Sequence, residues 1–264
     1  MKLQNKVAII TGSGRGIGRA IAGAFAREGA KLVLMARTVS QLEEVKRHIE
    51  TSGGEALVFP GDLSHIADID TVVGETVRRF GPPDILVNNA SLQNRSLTLD
   101  VNEEAWQHVI QVNLTGTFFL TKRVLKHMIP MKSGRIINIL SVNAKTGHLF
   151  GSAYAASKHG MLGVTRSLAL EMGFLGIPGI TVNAICPGPV KTEMMEGEGG
   201  LLDFVAKART CSREEAIRFI TDMNMQKRML EPEEIASLAL YLASDEAKGI
   251  TGQAINVCAG QVMI

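Results

Sequence analysis

The sequence predicts an α/β protein whose centre is a doubly wound, parallel sheet of seven strands with helices on both faces. Short apolar runs alternate with amphipathic helical segments along the whole chain, and a glycine-rich turn joins the first run to the first helix. No linker, charge run or composition shift interrupts the 264 residues. We therefore expect residues 1–264 to form a single domain.

Apolar, β-branched runs predict strands at 6–10, 31–35, 56–59, 85–88, 135–140, 180–185 and 254–258. Helical periodicity predicts a first helix that ends near residue 28 and further helices at 66–80, about 102–128, 153–173 and 231–243. Residues 191–229 show weaker periodicity, and we expect this stretch to be mostly irregular.

Charged residues make up 20% of the chain and the net charge is +2, with both signs interspersed. This pattern indicates neither nucleic acid nor an anionic membrane as a partner. The three cysteines show no metal-ligand spacing, so we expect reduced thiols and no metal site. The N-terminus enters a strand without a signal-like segment, which favours a cytoplasmic protein.

The glycine-rich turn lies where a phosphate-binding turn would be expected in a parallel sheet. Glycines let the backbone bend sharply and approach a pyrophosphate, and the N-terminus of the following helix stabilises its negative charge. A second strand follows at the spacing of a Rossmann fold, which favours a dinucleotide site over a merely tight turn. The predicted cofactor contacts here are Gly12, Ser13, Arg15, Gly16, Ile17 and Gly18.

The end of the second strand predicts which dinucleotide binds. An NAD site would place Asp or Glu there to bind the ribose 2′-hydroxyl, but this chain has Ala36 followed by Arg37. Arg37 and Arg15 could each bind a 2′-phosphate, so the sequence favours NADP, with NAD as the alternative. Further cofactor contacts are expected after the third and fourth strands, at Asp62, Leu63, Asn89 and Ala90.

Ser141, Tyr154 and Lys158 form the candidate catalytic group. Tyr154 and Lys158 are four residues apart, which places them on one face of a helix. An ammonium next to a phenol favours the phenolate, so we expect Lys158 to lower the pKa of Tyr154 and make it a general acid/base. Ser141 follows a predicted buried strand, at the sheet edge where ligands bind. The alternative is a packed ring next to a solvated amine.

These residues resemble the short-chain dehydrogenase/reductase family over essentially the whole chain. The family's catalytic tetrad is matched by Asn113, Ser141, Tyr154 and Lys158, and further cofactor contacts are matched by Pro187, Gly188, Val190 and Thr192. The resemblance implies hydride transfer between a nicotinamide and an alcohol or carbonyl carbon. Tyr154 would transfer the proton, Ser141 would polarise the substrate oxygen, Lys158 would bind the nicotinamide ribose, and Asn113 would position a water.

The chain departs from the family pattern at three places. Ser91 stands where a glycine is usual, 176–178 resemble an insertion, and Cys258 with Ala259 replace the usual Asp and Gly. None of these positions belongs to the tetrad.

The resemblance is greatest to 3-oxoacyl reductases and polyketide ketoreductases, which implies an NADP(H)-dependent carbonyl reductase acting on a small molecule. A sugar, polyol or hydroxy acid dehydrogenase is the first alternative, and a non-catalytic dinucleotide sensor is the second. The resemblance also implies a homo-tetramer, in which the helices of Asn113 and Tyr154 pack across a two-fold axis.

Residues 191–229 are the predicted substrate lid, because they follow the sixth strand at the catalytic edge. Ser212 and Glu215 have the spacing of a capping box that begins a short helix. Apolar residues of this segment are expected either to line a pocket or to pack on the domain: Met194, Met195, Leu201, Phe204, Ala216, Ile217, Ile220 and Met223. Acidic and basic residues nearly balance here, so nothing indicates a strongly charged substrate. The loop at 172–179 lacks the basic residues that carrier-protein docking would favour, which favours a free or CoA-linked oxo compound of mainly apolar character.

Overall fold

A computed structural model describes residues 1–264. All seven strands pair in parallel in one sheet, with the order β3-β2-β1-β4-β5-β6-β7. The strands are β1 Val7–Thr11, β2 Lys31–Ala36, β3 Glu55–Pro60, β4 Ile85–Asn88, β5 Gly134–Ile139, β6 Ile180–Pro187 and β7 Ala254–Val257. The predicted fold class is confirmed, and each strand lies within two residues of its predicted bounds.

Ten α-helices surround the sheet, which separates two apolar cores. They are α1 Gly16–Arg27, α2 Val39–Thr51, α3 Ile66–Phe80, α4 Glu103–Ile110, α5 Thr117–Met131, α6 Ser152–Phe174, α7 Glu193–Glu196, α8 Leu201–Arg209, α9 Arg213–Asp222 and α10 Pro232–Ala243. Alternate residues of β1 face opposite cores: Ile10 packs with α1, α2 and α10, and Ile9 packs with α3, α5 and α6. No helix is both long and apolar enough to cross a membrane.

The order of the strands positions the functional site. β1 pairs with β2 on one side and with β4 on the other, so the winding of the chain reverses between β1 and β4. Ligands of open parallel sheets bind in the crevice at such a point, outside the carboxyl ends of the strands. Both the glycine turn after β1 and Ser141 after β5 lie at this edge.

The single helix predicted at about 102–128 is interrupted. Its first part, α4, is capped by Asn102, whose side chain accepts a hydrogen bond from the Ala105 amide at 2.7 Å. A π-helical segment at Gln111–Gly116 then leads into α5. A β-carbon on Gly116 would lie 2.0 Å from the Leu63 carbonyl oxygen, so the helix approaches the loop after β3 without room for a side chain. π-segments of this kind are frequent at functional sites.

The segment at 191–229 is more helical than predicted, because it contains α7, α8 and α9. The capping box is confirmed: the Ser212 hydroxyl accepts from the Glu215 amide, and the Glu215 carboxylate accepts from the Ser212 amide. Helices α8 and α9 enclose a small apolar core of their own, formed by Leu202, Val205, Ala216 and Ile220. This internal core stabilises α9, which the capping box predicted, and α8, which was not predicted.

Candidate active site

A cavity of about 740 Å³ opens at the carboxyl edge of the sheet. Sixteen of the predicted site residues line it: Gly12, Arg15, Gly16, Ile17, Arg37, Asp62, Leu63, Asn89, Ala90, Ser141, Tyr154, Lys158, Pro187, Gly188, Val190 and Thr192. Ser13, Gly18 and Asn113 do not line it. The cavity thus brings the glycine turn and the catalytic candidates, which are far apart in sequence, to one place.

Two glycines of the turn after β1 leave no room for a side chain at their positions. Gly12 has a φ of +63°, and a β-carbon there would lie 2.9 Å from the Ala90 α-carbon. A β-carbon on Gly18 would lie 2.2 Å from the Gly12 carbonyl oxygen, which shows that this glycine packs α1 against the turn rather than facing the cavity. The bare backbone and the N-terminus of α1 fit a dinucleotide pyrophosphate.

Polar groups at the end of β4 hold this turn in place. The Thr11 hydroxyl accepts hydrogen bonds from the amides of Asn89 and Ala90, both at 3.0 Å. The Asn89 side chain donates to the carbonyl oxygens of Thr11 and Gly12 at 2.9 and 3.1 Å. Both donor hydrogens of the Asn89 amide are therefore used on the turn. Ser13, predicted as a cofactor contact, is fully buried, and its hydroxyl has no protein partner.

Of the two arginines predicted to bind a 2′-phosphate, only Arg37 lies at the end of β2, where its guanidinium is 3.9 Å from the Asp62 carboxylate. Burial acts to raise the pKa of Asp62, but hydrogen bonds from Ser64 and the charge of Arg37 outweigh it and lower the pKa. Arg15 instead pairs with Glu193 at the start of α7. That contact spans 178 positions of the sequence and could not be predicted from it.

Ser141 and Lys158 both lie at the carboxyl end of β5. The Ser141 hydroxyl oxygen accepts a hydrogen bond from the Asn143 amide at 3.1 Å. Lys158 donates to the Ile139 carbonyl at 2.9 Å, and its Nζ lies 5.4 Å from the centroid of the Tyr154 ring. Tyr154 and Lys158 therefore share a helix face as predicted, and both are buried.

The expected lowering of the Tyr154 pKa does not occur in the structure. Burial raises the pKa of Tyr154 to about 12, although the Ser141 hydroxyl and the charge of Arg95 act in the opposite direction. Burial also lowers the pKa of Lys158 to about 8. The prediction failed because helical spacing sets proximity, whereas desolvation disfavours the charged form of both groups.

Asn113, which is expected to position a water, forms hydrogen bonds with other residues of the protein. Its Oδ1 accepts from the Leu92 amide at 2.7 Å, and its Nδ2 donates to the Leu92 carbonyl at 2.8 Å and to the Ser157 hydroxyl at 3.1 Å. The side chain thus ties the π-segment to the loop after β4 and to α6. The side chain does not line the cavity, and its role in positioning a water stays a prediction.

The residues after β6 form the opposite wall. Gly188 donates its amide to the Val257 carbonyl at 3.0 Å, and a β-carbon there would lie 2.9 Å from the Cys258 α-carbon. Ala259 has a φ of +52°, a left-handed conformation that glycine adopts without strain. The left-handed backbone explains why the family usually has glycine at this position, whereas this chain has a strained alanine.

The apolar residues of the predicted lid divide into two groups. Met194, Met195, Leu201, Phe204, Ile220 and Met223 line the cavity. Ala216 and Ile217 do not, because they pack against α8 inside the lid. Of the two alternatives, Ile220 and Met223 line the cavity, and Ala216 and Ile217 pack inside the segment.

Several polar residues of the cavity wall were not predicted from the sequence, among them Gln93, Arg95 and His148. Gln93 and Arg95 lie in the loop after β4, at the edge where ligands of parallel sheets bind, and this position was the available signal. His148 lies between Ser141 and Tyr154 in sequence. The Gln93 Nε2 is 2.8 Å from the His148 Nε2, but these residues are 55 positions apart, so no local pattern indicates the contact.

Comparison with known proteins agrees with this geometry. A model of the short chain dehydrogenase family matches residues 6–199. The chain belongs to this family. It is therefore an oxidoreductase that acts on alcohol or carbonyl groups with a nicotinamide dinucleotide.

The similar proteins match this chain over nearly its whole length. A putative ketoacyl reductase of Streptomyces coelicolor is 38% identical over 258 residues, 97% of each chain. A 3-oxoacyl-[acyl-carrier-protein] reductase of Synechocystis is 38% identical over 99% of this chain and 98% of its own. The crystal structure of a variant actinorhodin polyketide ketoreductase with NADPH has a TM-score of 0.91 and 37% identity, and covers 97% of each chain.

Proposed function

We propose that this short-chain dehydrogenase is an NADPH-linked ketoreductase that reduces an oxo group of an acyl or carboxylic compound to a secondary alcohol. The observation that supports it best is the joint position of Ser141, Tyr154 and Lys158 on a cavity whose far wall is the glycine turn. The relatives named as ketoacyl and 3-oxoacyl reductases support the reduction of an oxo group. A non-catalytic sensor would not need these three side chains together.

The cofactor would lie along the glycine turn, with Arg37 next to its 2′-phosphate and Pro187, Gly188, Val190 and Thr192 next to its nicotinamide end. When bound, it supplies a hydride to the substrate carbonyl carbon. The chain's residues do the remaining work. Lys158 has two ammonium hydrogens beyond the one bonded to Ile139, and these are available to the ribose hydroxyls.

Tyr154 would donate the proton that completes the alcohol. With a pKa of about 12, the phenol is protonated at neutral pH, which suits the reductive direction. The Ser141 hydroxyl would donate to the carbonyl oxygen and stabilise its developing negative charge, because its oxygen already accepts from the Asn143 amide. The buried Tyr154 becomes tyrosinate in this step, and Lys158 is the adjacent cation that offsets the new charge.

The substrate would be a free or CoA-linked oxo compound, as the methionines and Phe204 of the lid make an apolar wall. A hydroxy acid dehydrogenase is the second candidate, favoured by the polar Gln93, Arg95 and His148 on the opposite wall. The test is NADPH consumption with a panel of 3-oxo esters, oxo acids, 3-oxoacyl-CoA thioesters and sugars, with Tyr154→Phe as the inactive control. Failure of every carbonyl compound would refute the proposed reaction.

The assembly and compartment belong to the same proposal. We expect a homo-tetramer, and the exposed Leu170 and Phe174 of α6, 75% and 92% accessible, support burial of that helix in an interface. Light scattering at micromolar concentration tests this, and a monomer mass would contradict it. The three free cysteines support a reducing compartment such as the cytoplasm.

A further inference from the structure

Arg95 is a cation on the cavity wall without an acidic partner. Its Nη2 donates to the Gln93 side-chain oxygen and to the Met194 carbonyl at 3.0 Å, while its Nε is buried without any partner. No carboxylate forms a salt bridge with it. The acidic residues that line the cavity are paired elsewhere, Asp62 with Arg37 and Glu193 with Arg15.

A partly buried guanidinium without a counter-ion destabilises a protein unless something else compensates its charge. Burial lowers the pKa of Arg95 below its ordinary value, which shows that the protein environment disfavours the charged form. Arginine nevertheless stays protonated in proteins. Two neutral oxygen acceptors use both hydrogens of Nη2, whereas the Nε hydrogen and the two Nη1 hydrogens have no protein acceptor.

A directed chain of hydrogen bonds holds Arg95 in place. His148 Nδ1 donates to the Leu149 carbonyl at 2.7 Å, so its neutral ring presents Nε2 as an acceptor. The Gln93 amide donates to that nitrogen at 2.8 Å, which turns the Gln93 oxygen toward Arg95. Burial lowers the pKa of His148 and so favours this neutral tautomer.

The same chain places Arg95 near the reacting group. The His148 ring stands edge-on to the Tyr154 ring, with centroids 5.5 Å apart. Burial raises the pKa of Tyr154, and the charge of Arg95 acts to lower it. Arg95 and Tyr154 line the same cavity, so a substrate that binds at Tyr154 has Arg95 on the wall beside it.

We propose that Arg95 is a specificity-determining residue that pairs with a carboxylate of the substrate, close to the carbonyl that Tyr154 protonates. The inference rests on the proposed function and narrows it to oxo acids and their hydroxy acid products. Guanidinium and carboxylate form strong, charge-assisted hydrogen bonds, and a substrate carboxylate would supply the missing counter-ion. An ester or an alkyl ketone would leave the cation unpaired.

The test compares oxo acids whose carbonyl is at carbon 2, 3 or 4 with their methyl esters. We expect the parent to prefer at least one acid over its ester. Arg95→Met should lower kcat/KM for that acid between about tenfold and a hundredfold and change the ester by only a few fold. Arg95→Lys keeps the charge but not the planar donor geometry, so its kcat/KM for the acid should lie between those of the parent and Arg95→Met.

Arg209→Met is the matched control, because Arg209 also lines the cavity but stacks on Phe219. It should leave the acid-to-ester ratio unchanged.

A parent enzyme that prefers no acid over its ester would overturn the proposal. An equal loss of kcat/KM for acids and esters in Arg95→Met would also overturn it, because that result indicates that Arg95 only anchors Met194. A binding measurement separates this from failure of the proposed function. With NADPH present, pentanoate should raise the melting temperature of the parent more than pentanamide does, and Arg95→Met should abolish the difference. Equal shifts in the parent would refute the carboxylate site even if no carbonyl compound were turned over. If Arg95→Met does not fold, Arg95→Gln answers the same question.

Discussion

The Lys158 ammonium lies 5.4 Å from the centroid of the Tyr154 ring and donates to the Ile139 carbonyl at 2.9 Å. Both side chains are buried, and burial moves their pKa values in opposite directions, to about 12 for Tyr154 and about 8 for Lys158. The pair thus favours the neutral phenol while keeping a cation next to it at neutral pH. If Tyr154 is the proton donor, as we propose, donation creates a tyrosinate next to that cation, and the pair stabilises the new charge.

Tyr154→Phe should fold and bind NADPH but lose activity. The ring and its contact with His148 remain, whereas the transferable proton is removed, so kcat should fall by at least about a hundredfold. Steady-state kinetics and a fluorescence titration with NADPH measure the two properties. Activity within a few fold of the parent would rule out Tyr154 as the acid.

Lys158→Met should stabilise the protein at pH 7 while abolishing activity. The pKa of Lys158 falls from 10.5 to about 8 on folding, which corresponds to roughly 3 kcal/mol of destabilisation that the variant avoids. Loss of the hydrogen bond to Ile139 offsets about 1 kcal/mol of this gain. Urea denaturation at pH 7 measures the difference, and a variant less stable than the parent would contradict this account.

The stability advantage of Lys158→Met should also depend on pH. Between pH 8 and 10.5 the unfolded parent binds more protons at Lys158 than the folded parent does, so the parent gains stability as pH rises through this window. The variant has no such group, and its advantage should shrink between pH 8 and 10. Lys248→Met, at an exposed lysine without a salt bridge, is the control and should show no such trend.

Arg37→Asp should reverse the cofactor preference from NADPH to NADH. The carboxylate would repel a 2′-phosphate and could accept from a ribose hydroxyl instead. The ratio of kcat/KM for the two cofactors is the measurement. Arg15→Met should change that ratio less, because Arg15 pairs with Glu193. Equal use of both cofactors by the parent would count against the role of Arg37.

Ala259→Gly should stabilise the protein by about 1 kcal/mol. Ala259 has a φ of +52°, where an alanine is strained and a glycine is not. The neighbouring Gly260→Ala is the contrasting control, since its φ is +79° and a β-carbon would lie 2.9 Å from the Met225 β-carbon. It should destabilise. Thermal unfolding of both variants tests the pair, and a lower melting temperature for Ala259→Gly would contradict the strain argument.

Met194→Ala and Phe204→Ala should shift the preference among oxo substrates toward longer chains by roughly tenfold, because they enlarge the apolar end of the cavity. NADPH affinity should stay nearly unchanged. Ile217→Ala is the matched control inside the lid's own core and should not change the preference. Equal losses for every chain length would show that the lid only covers the site.

Features with local causes could be predicted closely. The helix Ile66–Phe80 and the strand Ile85–Asn88 have the predicted bounds, because hydrophobic periodicity and the Gly81 at the helix end act over a few residues. The shared face of Tyr154 and Lys158 follows from helix geometry alone. The interrupted helix around Asn113 was not predicted, and its Gly116 packs against Leu63, which lies far away in sequence.

By itself, the sequence determined the parallel sheet, the glycine turn and the relative placement of Tyr154 and Lys158, because these depend on sterics and periodicity between near neighbours. Only the tertiary structure decided that Arg15 pairs with Glu193, that Asn113 binds Leu92, and that Arg95 lacks an acidic partner next to Tyr154. Charge pairing and desolvation depend on which surfaces meet and which exclude water. Those properties are set by packing between segments far apart in the chain.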